Sequence, residues 1–181
     1  MNKTNTMQQF SLFTTQYWIF IKQLSGQFQK LKRGNEGSPN SRIRFTNCIR
    51  EIPDGLVLNQ AAKESGWGSS RFAIEGFNFF GQWCFKAGCG FVPSKRSPGK
   101  YHEVAKFPDI AASVNAYFYN LNTFYVYDDL RSIRAEVRQL ENQVSAQKLA
   151  HGLKRYSERG DQYVLEIQTM IVSNSKFMDE S

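Results

Sequence analysis

Residues 59–68 read Asn-Gln-Ala-Ala-Lys-Glu-Ser-Gly-Trp-Gly and carry one carboxylate, Glu64, shortly before a Gly-Trp-Gly corner. Ala61 and Ala62 are small enough for close helix packing. Gly66 and Gly68 are natural helix terminators, because glycine accepts positive φ at little cost. Glu64 is therefore expected on the last turn of a helix. The negative end of the helix macrodipole and a water-excluding neighbour, Trp67, both disfavour a charged carboxylate there and raise its pKa. A carboxyl that keeps its proton near neutral pH is the general acid that cleavage of a glycosidic bond requires. A lone Glu at a helix end is more often a solvated surface residue, so its chemistry depends on what the rest of the chain builds around it.

The elements that must position Glu64 follow from periodicity. Pro53-Asp54-Gly55 starts a helix that carries Leu56, Val57, Gln60 and Ala61 up to Glu64. Ser69 is expected to N-cap a second short helix over 70–75, ending at Gly76. Residues 77–84 are aromatic and Gly-interrupted, residues 85–100 are rich in Gly, Pro, Ser and Lys, and 79–107 reads as a small irregular sheet or β-hairpin region. Helical spacing resumes after Pro108-Asp109 with Ile110, Val114, Tyr117, Phe118 and Leu121. A further helix runs from about Tyr125 through Leu130, Ile133, Val137 and Leu140. Shorter ones cover 145–153 and 161–172, the last with Tyr163, Val164, Ile167, Met170 and Ile171 on one side. Upstream, Met7, Phe10, Phe13, Tyr17, Phe20, Leu24, Phe28 and Leu31 predict an amphipathic helix of about 20 residues. The chain thus divides into an N-terminal helix and linker over 1–41 and a domain over 42–181. The fold class is α+β, mostly α, with a small β lobe.

The chain has 181 residues, 41% hydrophobic and 14% aromatic, enough for one globular domain with a real core. The aromatic share suits both a core and a sugar-binding groove. The net charge of +7 and pI near 9.4 favour a polyanionic partner: nucleic acid, an anionic membrane surface or an anionic cell-wall polymer. Basic residues are scattered, dense only at Lys30, Lys32, Arg33 and at Lys95, Arg96, Lys100, with no recognisable nucleic-acid-binding motif, so nucleic acid is not expected. No run reaches the roughly 18 apolar residues of a transmembrane helix. Residues 10–21 are apolar but broken by Thr14, Thr15 and Gln16, and without a small-residue cleavage site they are no clear signal peptide. Cys84 and Cys89 flank a turn at Ala87-Gly88, which suits a disulfide formed in an oxidising compartment, the alternative being two separate thiols. Cys48 would be unpaired. His102 and His151 have no metal-ligand spacing and read as structural; no metal or cofactor is expected.

The motifs add a family resemblance. Ala61-Ala62-Lys63-Glu64-Ser65-Gly66-Trp67-Gly68 resembles the A-x-x-E-S-G-W-G signature of bacterial glucosaminidases of glycoside hydrolase family seventy-three, and Asn78-Phe79-Phe80-Gly81 resembles their N-L-F-G. Gly81-Gln82-Trp83-Cys84, Cys89-Gly90-Phe91-Val92-Pro93, His102-Glu103-Val104-Ala105, Asn120-Leu121-Asn122-Thr123, Leu130-Arg131 and the run from Leu153 to Gly160 are similar to the Bax-like branch. Each match is weak by itself; their shared order carries the resemblance.

The resemblance implies a lysozyme-like fold and hydrolysis of the β-1,4 bond between N-acetylglucosamine and N-acetylmuramic acid in peptidoglycan, in the bacterial cell envelope. It makes Glu64 the general acid and Tyr127, from N-T-x-x-x-Y, a site residue, with Tyr125 two positions away as the competitor. Glycoside cleavage usually takes a second carboxyl, which related glucosaminidases draw from a β-hairpin. Glu103 is the only acidic residue between Glu75 and Asp109, hence the β-lobe choice for that role. Otherwise Glu103 is a surface residue paired with Lys106 or Arg96, and the substrate's own N-acetyl group takes part, oriented by Tyr127. Trp67 is expected in the core, and Phe80 and Trp83 at the groove. Asn78 either binds an N-acetyl group or caps a turn. A lytic transglycosylase and a non-catalytic wall-binding module of the same fold are the alternative functions.

Overall fold

The computed structural model describes residues 52–94, 96, 98–141 and 143–175, so the expected N-terminal helix and Cys48 lie outside the described residues. The first helix, α1 (Asp54–Ser65), is the hub. Seven consecutive residues, Leu56 to Ala62, are buried, so it runs through the core rather than along it. Burying each leucine is worth roughly 1.5–3 kcal/mol. Its buried amides are satisfied: Asn59 Nδ2 donates to the Gly55 carbonyl at 2.7 Å, and Asn59 Oδ1 accepts from Asn174 Nδ2 at 2.7 Å.

The exit of α1 is a tight corner. Gly66, Trp67 and Gly68 all have positive φ, at 57°, 59° and 76°. The Ser65 hydroxyl donates to the Ala61 carbonyl at 2.6 Å and accepts from the Gly68 amide at 2.8 Å, which closes the turn. The Ser69 hydroxyl bonds to the Gly66 carbonyl at 2.5 Å and so belongs to the corner. The N-cap of α2 (Arg71–Gly76) is therefore Ser70, one residue later than expected, its hydroxyl accepting from the Ala73 amide at 3.2 Å.

Strands β1 (Trp83–Cys84), β2 (Gly90–Phe91) and β3 (Glu103–Ala105) form a small antiparallel sheet in the order β1-β3-β2. The register pairs Trp83 with Val104, Cys84 with Glu103 and Phe91 with Val104. Helix α3 (Ile110–Thr123) starts at Asp109, whose carboxylate accepts from the Ala112 amide at 2.7 Å. A 3₁₀ turn (Tyr125–Tyr127) leads into α4 (Asp128–Glu141). The core face of α4 is Leu130, Arg134 and Val137, and Leu140 is 74% exposed, not a core residue as the spacing suggests. The helix ends there and its last turn faces solvent. A short α5 (Ala146–Ala150), a second 3₁₀ turn (His151–Leu153) and α6 (Asp161–Asn174) complete the domain. Helix α6 packs on α1 through Tyr163, Ile167 and Ile171. This is the expected mostly helical α+β, lysozyme-like architecture. No helix among the described residues is long and apolar enough to cross a membrane.

Candidate active site

Glu64 sits on the last turn of α1 and opens into a groove of about 1520 Å³ that is also lined by Phe80, Gly81, Trp83, Asn120, Tyr127 and Tyr156. Burial pushes its carboxyl above the usual carboxylate range; the hydrogen bond from Tyr163 and the charge of Lys63 pull it partway back. The expected direction is thus present, and its leading cause is desolvation in the groove. Trp67 packs against the core, as the sequence suggests.

Behind Glu64 lies a polar chain. The Tyr163 hydroxyl donates to Glu64 Oε1 at 2.7 Å, Gln60 Nε2 donates to the Tyr163 oxygen at 3.0 Å, and the Tyr117 hydroxyl donates to Gln60 Oε1 at 2.5 Å. Periodicity reads Tyr117 and Tyr163 only as core. The available signal was Gln60, a polar residue one turn before Glu64 that, with Asn59, interrupts an apolar stretch. Lys63 is held aside by Glu166 at 2.5 Å, and the same carboxylate takes a bidentate bond from Arg159 on the groove wall.

Tyr127 lines the groove, whereas Tyr125 is 68% exposed and outside it. Burial raises the Tyr127 phenol to about 12, so it stays protonated; a hydrogen bond with the Asn120 side chain opposes the shift. Tyr156 reaches under the groove and donates to the Phe80 carbonyl at 2.7 Å. Phe80 itself is buried and stacked on Tyr117 at 4.1 Å, so it is the floor of the groove rather than an open stacking face. Trp83 is 58% exposed on the groove, its indole stacked on the His102 ring at 4.0 Å.

Two sequence expectations change. Asn78 is 1% exposed, and its carboxamide is fully engaged: Nδ2 donates to the Gln82 and Ala105 carbonyls at 2.9 and 2.8 Å, and Oδ1 accepts from the Gln82 amide at 3.0 Å. It ties the turn that carries Phe80 and Gly81 and cannot also hold a sugar. Glu103 is 6% exposed and does not line the groove. Its two oxygens accept from the Gly88 and Gly90 amides at 2.9 and 2.8 Å. These amides outweigh desolvation and hold its carboxyl below the usual range, which suits neither a base nor a proton donor. It is paired with neither Lys106 nor Arg96 in an ion pair; the Arg96 charge only assists the shift.

The amides that Glu103 binds flank Cys89, which forms a disulfide with Cys84 across a Cα separation of 6.2 Å. Cys84, Cys89 and Glu103 cluster within 4.8 Å, but the sulfurs are bonded to each other and the carboxylate to amides, so this is no ligand set for a cation.

Residues 49–176 match a family model described as mannosyl-glycoprotein endo-beta-N-acetylglucosaminidase. The chain belongs to this glucosaminidase family. It is also 32% identical to protein bax of Escherichia coli strain K12 over 187 aligned positions, covering 96% of this chain and 66% of that protein. This chain thus spans just under two thirds of that relative's length. The fold is similar to the catalytic domain of the autolysin Auto from Listeria monocytogenes, with a TM-score of 0.57 at 19% identity over 98% of both chains. In this glucosaminidase-family chain the groove side of Glu64 is framed by phenols and an indole, and its acidic lining residues are Glu64 and the exposed Glu158.

Proposed function

We propose that this glucosaminidase-family protein is a peptidoglycan hydrolase of the bacterial cell envelope that cleaves the β-1,4 bond between N-acetylglucosamine and N-acetylmuramic acid, with Glu64 as general acid. The observation that carries the reading is a carboxyl with a raised pKa opening into a groove of about 1520 Å³ lined by aromatic and polar side chains. The positive net charge suits an anionic wall polymer. A structural neighbour of the same fold is named an autolysin, a name in keeping with a wall substrate.

With Glu103 turned into the lobe, we assign the nucleophile to the substrate's own acetamido group. Its carbonyl oxygen bonds to C1 as the glycosidic C–O bond breaks, and Glu64 delivers its proton to the leaving oxygen. Water then attacks C1, the bond from C1 to the acetamido oxygen breaks to restore the acetamide, and the Glu64 carboxylate takes the proton that the water releases. Tyr127, a neutral phenol on the groove wall, is the group we assign to orient the acetamido. Trp83 offers a face for a sugar ring.

The single engaged carboxyl also suits a lytic transglycosylase, in which the muramyl 6-hydroxyl replaces water. Mass analysis of products from purified sacculi separates the readings. Reducing N-acetylglucosamine ends support the hydrolase, and anhydro-muramyl ends the transglycosylase. Wall binding with no product indicates a non-catalytic module. Glu158→Gln is expected to keep activity within about fivefold; a loss of the 10²–10⁴-fold typical of a general acid or base would reassign the base to Glu158.

A further inference from the structure

The hydrogen-bond chain behind Glu64 has a direction. The buried Tyr117 hydroxyl donates to Gln60 Oε1, which fixes the amide and turns Nε2 toward Tyr163. The Tyr163 oxygen accepts that bond, and a phenol has one proton to give. Turned away from Glu64, this proton would point at the Gln60 amide nitrogen, itself a donor. It therefore goes to Glu64 Oε1. The other oxygen is at the groove: a Cβ built on the groove-lining Gly81 would lie 3.5 Å from Oε2. We propose that Tyr163 is a positioning residue that reserves Oε1 of Glu64 as an acceptor and leaves Oε2, on the groove side, as the oxygen that carries and delivers the catalytic proton.

This rests on Glu64 being the general acid. Other groups that act electrostatically on Glu64 are Lys63 on its own helix, and Tyr117, Tyr127 and Tyr156 from the elements packed around it. The remaining charges on the groove are Lys154, Arg155, Glu158 and Arg159. Lys63 is engaged by Glu166, and the three phenols stay neutral, their pKa values raised by burial. Tyr163 is thus the neighbour whose removal changes the carboxyl directly.

The test is Tyr163→Phe, which keeps the ring stacked on Tyr156 (centroids 5.6 Å apart, planes at 9°) and deletes the hydroxyl. On soluble peptidoglycan oligosaccharides, kcat is expected to fall about tenfold to a hundredfold, the scale of a misplaced catalytic group, with KM within about twofold. The alkaline limb of the kcat–pH profile is expected to move to higher pH, because the carboxylate has lost a donor. A packing role alone would leave that limb in place. Gln60→Met keeps the volume and removes the amide that aims Tyr163; its loss is expected to be smaller, and the double variant no worse than Tyr163→Phe alone. If Tyr163→Phe does not fold, as judged by circular dichroism, Gln60→Met carries the test through its kcat. An unmoved alkaline limb in Tyr163→Phe, multiplying penalties in the double variant, or unchanged kcat in Gln60→Met overturns the proposal. If Glu64→Gln is inactive while these results are negative, only the role of Tyr163 fails; if Glu64→Gln is fully active, the reading of Glu64 fails with it.

Discussion

Gly81 faces Glu64 so closely that a Cβ on it would lie 3.5 Å from Oε2, and Gly81 also holds φ at +63°. The backbone asks for glycine there, whereas the Cβ itself would sit in ordinary van der Waals contact with the carboxylate. Gly81→Ala is expected to destabilise by about 1–2 kcal/mol through the left-handed backbone. It also adds a methyl beside the acid, so activity on sacculi should fall by more than the unfolded fraction explains. Thermal melts alongside lysis rates check this; a variant as stable and as active as the wild type would refute it.

Glu103 is expected to support the lobe rather than the reaction. Glu103→Gln replaces one acceptor oxygen with an NH₂ facing an amide donor, so the Gly88 or Gly90 bond is lost. Activity should stay within about tenfold, well short of losing a catalytic base, while the amides of residues 88–90 exchange faster with deuterium. The pH sign follows from its lowered pKa: the stabilisation is present above the usual carboxylate range and is lost as pH falls through the folded value. Exchange at these amides in the wild type should therefore accelerate on acidification, relative to the rest of the sheet.

Glu64 has the opposite sign. Its pKa is raised in the fold, so its contribution is most favourable below the unfolded value and is lost as pH rises through the folded value. Glu64→Gln keeps an oxygen for Tyr163 and removes the buried charge. It should be more stable than the wild type near neutral pH, by about 1 kcal/mol on the scale of relieved active-site strain, and no more stable at pH 3. Paired melts at the two pH values decide it; equal gains at both would remove desolvation as the cause.

Tyr127→Phe tests the substrate-assisted route. The phenol remains protonated across the working range because its pKa is pushed up to about 12. Losing that donor should lower kcat about 10²-fold, the scale of a removed oriented donor, with a smaller change in KM. Tyr125→Phe, exposed and outside the groove, should be indistinguishable from the wild type.

The helices from 54 to 174 were legible because apolar spacing and caps agree: Asp109 caps α3, and Gly66 ends α1. Glu64 was legible because its motif is local. What escaped depends on contacts between distant residues. Tyr163 is 99 residues from Glu64 and Tyr117 57 from Gln60, and both look like ordinary apolar-face residues in their own helices. Glu103 misled by elimination: being the only acid in the lobe says nothing about which way it points, and the disulfide loop's amides turn it inward. Asn78 had two readings at the sequence level, and its three backbone bonds select the structural one.

The most direct measurement compares the wild-type protein with Glu64→Gln on purified sacculi, with released fragments identified by mass. The wild type should release fragments with reducing N-acetylglucosamine ends. The folded variant should release them at least about 10²-fold more slowly, the lower scale for losing a general acid. Undiminished release by Glu64→Gln would contradict the account.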